Sequence, residues 1–350
     1  MEGRIKKIKG NPDHPVNRGG ARSNLDAAIQ VHYNPDRLHN HQVRRSKQGI
    51  LSNVSKSQAD KLIQDATSKD KKIVVVTNPT RSTQGWVSQK FAESRGGRYL
   101  TFEPLEESNF HEVISELFES EEIPHFDISN ADNVLSFGAD WIENWISPAG
   151  YGKAFGKLRS GNRGFIAHVE PRFSLTSANS DLWISPKPGT EADIALSIAS
   201  VIIQNKLVPE SQINDYLNKF PEGKVEFGFT PADVQSRTGV SAKKIIEIAE
   251  RISKGNSIVL AGGSTSAYTN GKFNTYNALA LNILLGSVGK QGGVILNPEV
   301  QSDFIGGSNK PNSIENWQEE LAQWRAGYVD TVIIKGCLLY TSPSPRDRQK

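Results

Sequence analysis

The sequence predicts an α/β protein in which two doubly wound parallel-sheet lobes follow a short β-hairpin segment. Three observations carry this. Short β-branched runs such as KKIVVVT, Lys71 to Thr77, are the pattern of strands covered by helices on both faces, where no polar alternation is needed. Such runs alternate with helix-period segments, and β-α-β alternation within one sheet gives parallel strands joined by crossover helices. Pro186, Pro188 and Gly189 interrupt the pattern once and divide it into two cycles.

Taken in order, the opening EGRIKKIKGNPDHP reads as a charged hairpin, with strand-like Arg4 to Ile8 broken at Gly10, Asn11 and Pro12. Ser55 to Thr67 has the serine-rich start and apolar spacing of a helix, and the strand Lys71 to Thr77 ends at Asn78 and Pro79. A helix at Gln84 to Arg95, a strand at Arg98 to Phe102, a helix at Asn109 to Phe118 and a strand at Asn133 to Gly138 follow. The helix Pro148 to Arg159 and the strand Gly164 to Glu170 complete the first lobe. In the second cycle come helices at Ala192 to Gln204, Gln212 to Phe220 and Ser241 to Lys254, then the strand Ser257 to Ala261. Gly262 and Gly263 open a loop before the helix Asn274 to Leu285, the turn Gly286 to Gly293 closes the unit, and Val329 to Lys335 is a last buried strand. The expected division is 1–50 as a basic hairpin and arm, 51–188 as the first lobe and 189–336 as the second. The tail 337–350 has no periodicity and reads as non-native sequence. An opening hairpin and a strand that runs straight into such a tail make the chain read as a fragment.

Composition sets limits. A length of 350 residues suffices for two cores, and 37% hydrophobic with 23% charged residues is ordinary for a globular chain. No apolar run approaches the roughly 20 residues that span a bilayer. A formal charge of +3 gives no argument for a nucleic-acid partner. Basic residues nevertheless crowd Met1 to Lys72, including Arg4, Lys6, Lys7, Lys9, Arg18, Arg22 and Arg37, a strip that suits either an acidic partner or plain solvation. Arg44 and Arg45 are not followed by an apolar stretch and do not form an export signal. The single cysteine, Cys337, excludes an internal disulfide and a cluster held by several thiolates within this chain.

The stretch Leu135 to Leu196 is the most informative for chemistry, because strand ends of open α/β sheets are where ligands collect. Gly138 and Ala139 leave room for a ligand, and Glu170 and Arg172, where the next strand runs out, suit ribose hydroxyls and a phosphate. With Asp140, Thr176, Gly189, Thr190 and Glu191 they form the candidate cofactor-binding set, functional or vestigial. The competing reading is a tight turn at Gly138 beside a loop ion pair. Gly262 to Ser266 lacks the Lys-Ser/Thr ending of a P-loop, which argues against a nucleoside triphosphatase. His14, His32, His39 and His41 have no recognised metal-ligand spacing, and His168 reads as a strand residue. Trp141, Trp145 and Trp183 suit stacking on a flat ring or, more commonly, burial between helix and sheet.

These motifs carry a resemblance. EGRIKKIKGNPDHPVNRGG, YNPDRL, SFGADWIENWISPAGYGKAFGKLR, VEPRFSLTSANSD, KPGTEADIAL and ALNILLGSVGKQGG occur in the order seen in the molybdopterin oxidoreductase family, which this chain resembles over nearly all of residues 2–335. The resemblance places Arg22 where catalytic members hold the last cysteine of an N-terminal iron-sulfur cluster. For a metal-facing ligand it leaves Thr101, Glu103 or Ser108, since no cysteine lies between Gly96 and Phe110. FESEEIPHFDISNADNVLSFGADWIENWISP is most similar to the cofactor-less molybdopterin-like half of the large iron-sulfur subunit of alternative complex III and related quinone-linked complexes. That branch implies no cofactor in this segment, with 4Fe-4S or 3Fe-4S clusters in a C-terminal part beyond it. It implies a membrane quinone-binding subunit and cytochrome c subunits as partners, and an extracytoplasmic, periplasmic location reached by an export signal outside this sequence. The alternative is a fragment of an active oxidoreductase that uses molybdopterin guanine dinucleotide.

Overall fold

The computed structural model describes residues 3–46, 49–80, 82–102, 108–120, 122–219, 228–298 and 312–335. In chain order these residues form α1 (Ser23–Tyr33), β1 (His41–Val43), β2 (Ser52–Val54), α2 (Lys56–Ala66), β3 (Ile73–Thr77), α3 (Thr83–Ser94) and β4 (Arg98–Thr101). Next come α4 (Ser108–Phe118), β5 (His125–Phe126), β6 (Asn133–Phe137), α5 (Pro148–Leu158), β7 (Phe165–Val169), α6 (Leu175–Ala178), β8 (Leu182–Ile184) and α7 (Glu191–Gln204). The chain continues through α8 (Glu210–Lys219), α9 (Pro231–Thr238), α10 (Ala242–Ile252), β9 (Ser257–Ala261), α11 (Gly271–Leu284), β10 (Val294–Ile295), α12 (Ile314–Arg325) and β11 (Thr331–Lys335). None of the described helices is long and apolar enough to cross a membrane.

Two compact units result, each built on a parallel sheet as the β-α-β alternation predicts. The first gathers the described residues of Met1–Tyr33 and Asn109–Glu299, and the second those of Asn34–Ser108 and Val300–Lys350. The expected boundary at 188/189 is therefore corrected. In the first unit the sheet order is β8-β7-β6-β9, all parallel, so β9 lies beside β6 instead of founding a second lobe. The reason is burial: all five residues of β6 are buried, so with β7 on one side its other edge needs a partner, and the equally buried β9 supplies it, while Asn282 accepts from Val259 N and donates to Val259 O of β9. In the second unit β11 pairs in parallel with β3, in register from Thr331 opposite Ile73 to Lys335 opposite Thr77, and β4 pairs on the other side. The strand expected to close the second cycle thus returns to complete the first.

Local chemistry explains the element ends. Ser55 caps α2 by accepting from Gln58 N, while the Gln58 side chain accepts from Ser55 N, a reciprocal capping box. Pro148 opens α5, where its missing N–H costs nothing, and Gly239 ends α9 in a left-handed conformation at φ +80°. The opening hairpin is a second correction. Residues 3–10 form no strand; Ile5 N instead donates to Tyr33 Oη, and the antiparallel hairpin of this region is β1 with β2. A charged run with no apolar face to bury has nothing to hold it in a sheet.

Candidate functional site at the carboxyl edge of the four-stranded sheet

In the order β8-β7-β6-β9 the chain runs outward from β6 in both directions, so the topological switch point lies between β6 and β9. A crevice opens there, at the carboxyl ends of the strands, in sheets of this kind. The sequence-predicted residues fall on that edge: Gly138, Ala139 and Asp140 follow β6, Glu170 and Arg172 follow β7, Thr176 lies in α6, and Gly189, Thr190 and Glu191 lead into α7.

Three elements bring four of these side chains together. Asp140, nearly fully buried, accepts from Thr176 Oγ1 at 2.7 Å on one carboxylate oxygen and from Arg172 Nη2 at 3.2 Å on the other. Glu170 is fully buried; its Oε1 accepts from Arg172 Nε at 3.3 Å and from Ser264 Oγ at 3.0 Å, and its Oε2 lies 3.1 Å from His168 Nε2. Burial by itself would raise the Glu170 pKa, but hydrogen bonding, foremost from His168, and the Arg172 guanidinium outweigh it and hold the group at about 2. Arg172 is the one guanidinium or ammonium bonded into this network among the described residues. It bridges two carboxylates on the neighbouring ends of β6 and β7, so the loop ion pair weighed in the sequence is present as a two-strand clasp.

Glu191 stands in a different environment. It is fully buried, accepts from Asn274 Nδ2 at 3.2 Å through Oε2, and leaves Oε1 with no hydrogen-bond partner. Burial, reinforced by the charge of Glu170, pushes its pKa up to about 7. The same pair of carboxyls contributes, after burial, to raising the Tyr268 phenol. Asn274 in turn accepts from Ala192 N, and Asn270 donates to the carbonyl of Gly189, so α11 fixes the turn that carries Thr190 and Glu191.

The room expected at Gly138 is filled by the protein itself, which corrects that reading. Gly138 adopts φ +60°, Ser264 N donates to its carbonyl at 3.3 Å, and a Cβ on Gly138 would overlap the Thr265 hydroxyl and sit 2.6 Å from Thr265 N. The turn Gly263–Ala267 therefore plugs the switch point. Gly262 is needed for the same closure, since a Cβ there would lie 2.5 Å from Trp145 Nε1. Trp141 and Trp145 are buried, Trp145 against Phe110, Phe126 and Tyr151, and Trp183 donates from Nε1 to the Glu170 carbonyl; all three serve packing.

The remaining candidates lie elsewhere. Thr101 ends β4 in the second unit, 1% exposed, with its backbone N and hydroxyl both donating to Asn312 Oδ1, so its oxygen is enclosed by packing. Ser108 begins α4, and Glu103 lies outside the described residues. Arg22 donates to Asn144 Oδ1 at 3.2 Å. His14 Nδ1 accepts from the backbone N of Asn17, an ordinary turn-stabilising role, and no group of three or more His, Cys, Asp or Glu among the described residues is placed to hold a metal ion. Sequence reasoning missed Asn270 and Asn274; the available signal was a pair of amides four residues apart at the start of a helix that turns apolar towards its end.

The molybdopterin oxidoreductase family model matches residues 37–326. The chain belongs to the molybdopterin oxidoreductase family. Among curated relatives it is 26% identical over 330 residues to the menaquinone reductase molybdopterin-binding-like subunit of Nitratidesulfovibrio vulgaris, covering 93% of this chain and 46% of that protein. It is 25% identical over 385 residues to the arsenate respiratory reductase molybdopterin-containing subunit ArrA of a Shewanella species, covering 96% of this chain and 42% of that one. Dimethyl sulfoxide reductase DmsA of Escherichia coli matches at 28% over 192 residues, 48% of this chain and 23% of the enzyme. The chain thus spans less than half the length of these relatives. Acetylene hydratase from Pelobacter acetylenicus shares the fold, with a TM-score of 0.60 and 14% identity over 78% of this chain and 39% of the hydratase.

Proposed function

We propose that this molybdopterin oxidoreductase family chain is a scaffold without a redox centre of its own, part of an electron-transfer subunit in a membrane-associated, quinone-linked respiratory complex. The observation that carries the reading is the plugged switch point. A dinucleotide's diphosphate needs space and positive charge, whereas here the Gly263–Ala267 turn occupies the space and the Arg172 guanidinium is already committed to the carboxylates of Asp140 and Glu170. These residues do not fit the diphosphate of a pterin dinucleotide at this edge. The similarity to a menaquinone reductase molybdopterin-binding-like subunit points the same way. In this reading the partners are a quinone-binding membrane subunit and cytochrome c subunits, iron-sulfur clusters belong to other parts of the subunit, and the location is the extracytoplasmic face.

The test is to express the chain in a host competent for molybdopterin synthesis and to measure molybdenum and released pterin per chain after purification. The scaffold reading expects substoichiometric traces, and one molybdenum per chain overturns it. A second reading rests on the similarity to a molybdopterin-containing reductase subunit: an active oxidoreductase using molybdopterin guanine dinucleotide, with Thr101, Glu103 or Ser108 facing the metal. Its signature is dye-linked turnover that is lost on replacing one of those three.

A further inference from the structure

We propose that a groove in the first unit, away from the switch point, is the docking site for an acidic, apolar-faced segment of a partner polypeptide. The groove encloses about 1130 Å³ and is walled by α5, the strand β5, the 128–130 turn and the segment Pro15–Arg18. That exceeds the roughly 300–1,000 Å³ of a small-molecule pocket and is of a scale to seat a chain segment.

Its floor and rim are apolar and partly uncovered: Val16 is 58% exposed, Ile146 38% and Ile295 37%. Arg18, Lys153 and Lys157 line it as well, and none of the three forms an ion pair with a described residue; Lys157 reaches only the neutral Asn130 Oδ1 at 2.7 Å. The carboxylate in the lining, Asp127, is buried and already accepts from Asn130, Ser129 and Gly292 N, which keeps its pKa below the ordinary carboxylate range despite burial. The unmatched charge of the groove is therefore positive, and an acidic occupant complements it.

Two further features of the wall agree. Gly152 and Gly156 stand one turn apart on α5, where each is less favourable than alanine by about 1 kcal/mol, yet a Cβ on either would meet nothing within 4 Å. Packing within the described residues does not require them, and their bare surface leaves this face of α5 open to close approach by another backbone. Ile146, a β-branched residue, is held at φ +49° and Arg18 at φ +46°, strained conformations that present both side chains at the groove. The inference extends the scaffold reading by naming where it would be held, and the two fail separately, since metal analysis tests one and peptide binding the other.

The probe is a fluorescein-labelled amphipathic helical peptide with leucines on one face and glutamates on the other, titrated into the full chain and followed by anisotropy. Binding is expected, weakened about tenfold by the double variant Lys153→Glu/Lys157→Glu and by Gly156→Leu, reduced by added salt, and unchanged by Lys243→Glu on α10. A peptide with lysine in place of glutamate should not bind. Equal affinity of wild type and groove variants overturns the proposal. Displacement of the peptide by inorganic pyrophosphate would make the groove a small-anion site. Sedimentation showing self-association that the lysine reversals abolish would make it an interface between copies of this chain, and either result also overturns it.

Discussion

Replacing Glu191 by glutamine should change how stability depends on pH. The carboxyl is fully buried with one oxygen unpartnered, and its pKa stands at about 7 against 4.5 in the unfolded chain. Below pH 4.5 it is protonated in both states. As the pH rises, the unfolded chain releases its proton first, so the folded state loses stability until the folded carboxyl ionises near 7, beyond which the loss is complete. The difference between 4.5 and about 7 sets an upper bound on the order of 3 kcal/mol for that loss. Glutamine keeps an acceptor for Asn274 Nδ2 and removes the titration. Urea denaturation of both proteins at a series of pH values from 4.5 to about 7 reads the effect directly: the variant should gain on the wild type as the pH rises. Parallel stability profiles would refute the reasoning and mean that Glu191 is hydrated or charge-paired in the folded protein.

The other predictions concern the same edge. Glu170→Gln should act with the opposite sign, because a carboxylate held at about 2 contributes stability above pH 4.5 that is lost as the pH falls towards 2; acid-unfolding profiles should show a steeper wild-type decline than the variant's. Asp140→Ala leaves the buried Thr176 hydroxyl without its acceptor and one donor of Arg172 unpaired, and should cost about 2–3 kcal/mol in denaturant unfolding. Gly138→Ala forces a left-handed alanine against Thr265 and should cost about 2 kcal/mol or more, whereas Gly156→Ala, with open space around it, should stabilise by up to about 1 kcal/mol; thermal melts of the pair separate the two.

Much of the fold was legible in the residues. Runs such as Ile73–Thr77, Asn133–Phe137 and Ser257–Ala261 are short, apolar and bounded by turn residues, so their strand identity is local information, and the observed limits fall within a few residues of those expected. The two-residue and three-residue strands β1, β2, β5, β8 and β10, and the helices α1, α6, α9 and α12, were not read, because such brief or weakly patterned segments owe their conformation to what they pack against. Of the site, the strand-end residues Asp140, Glu170 and Arg172 were found from position alone, since carboxyl ends of parallel strands converge on one edge. Ser264 was noticed only as part of a glycine loop.

What the sequence by itself determined is most of the parallel strands, most of the helices between them and the charged residues at strand ends, which follow from periodicity and spacing within a few tens of residues, while the family resemblance rests on the order of whole motifs. Strand order, and with it the assignment of β9 and β11 to sheets founded far earlier in the chain, was decided only by tertiary structure. So was the use of Ser264 and Thr265 to plug the switch point. Pairing between strands more than a hundred residues apart depends on which buried edges remain unsatisfied once the whole chain has collapsed, and no local pattern encodes that.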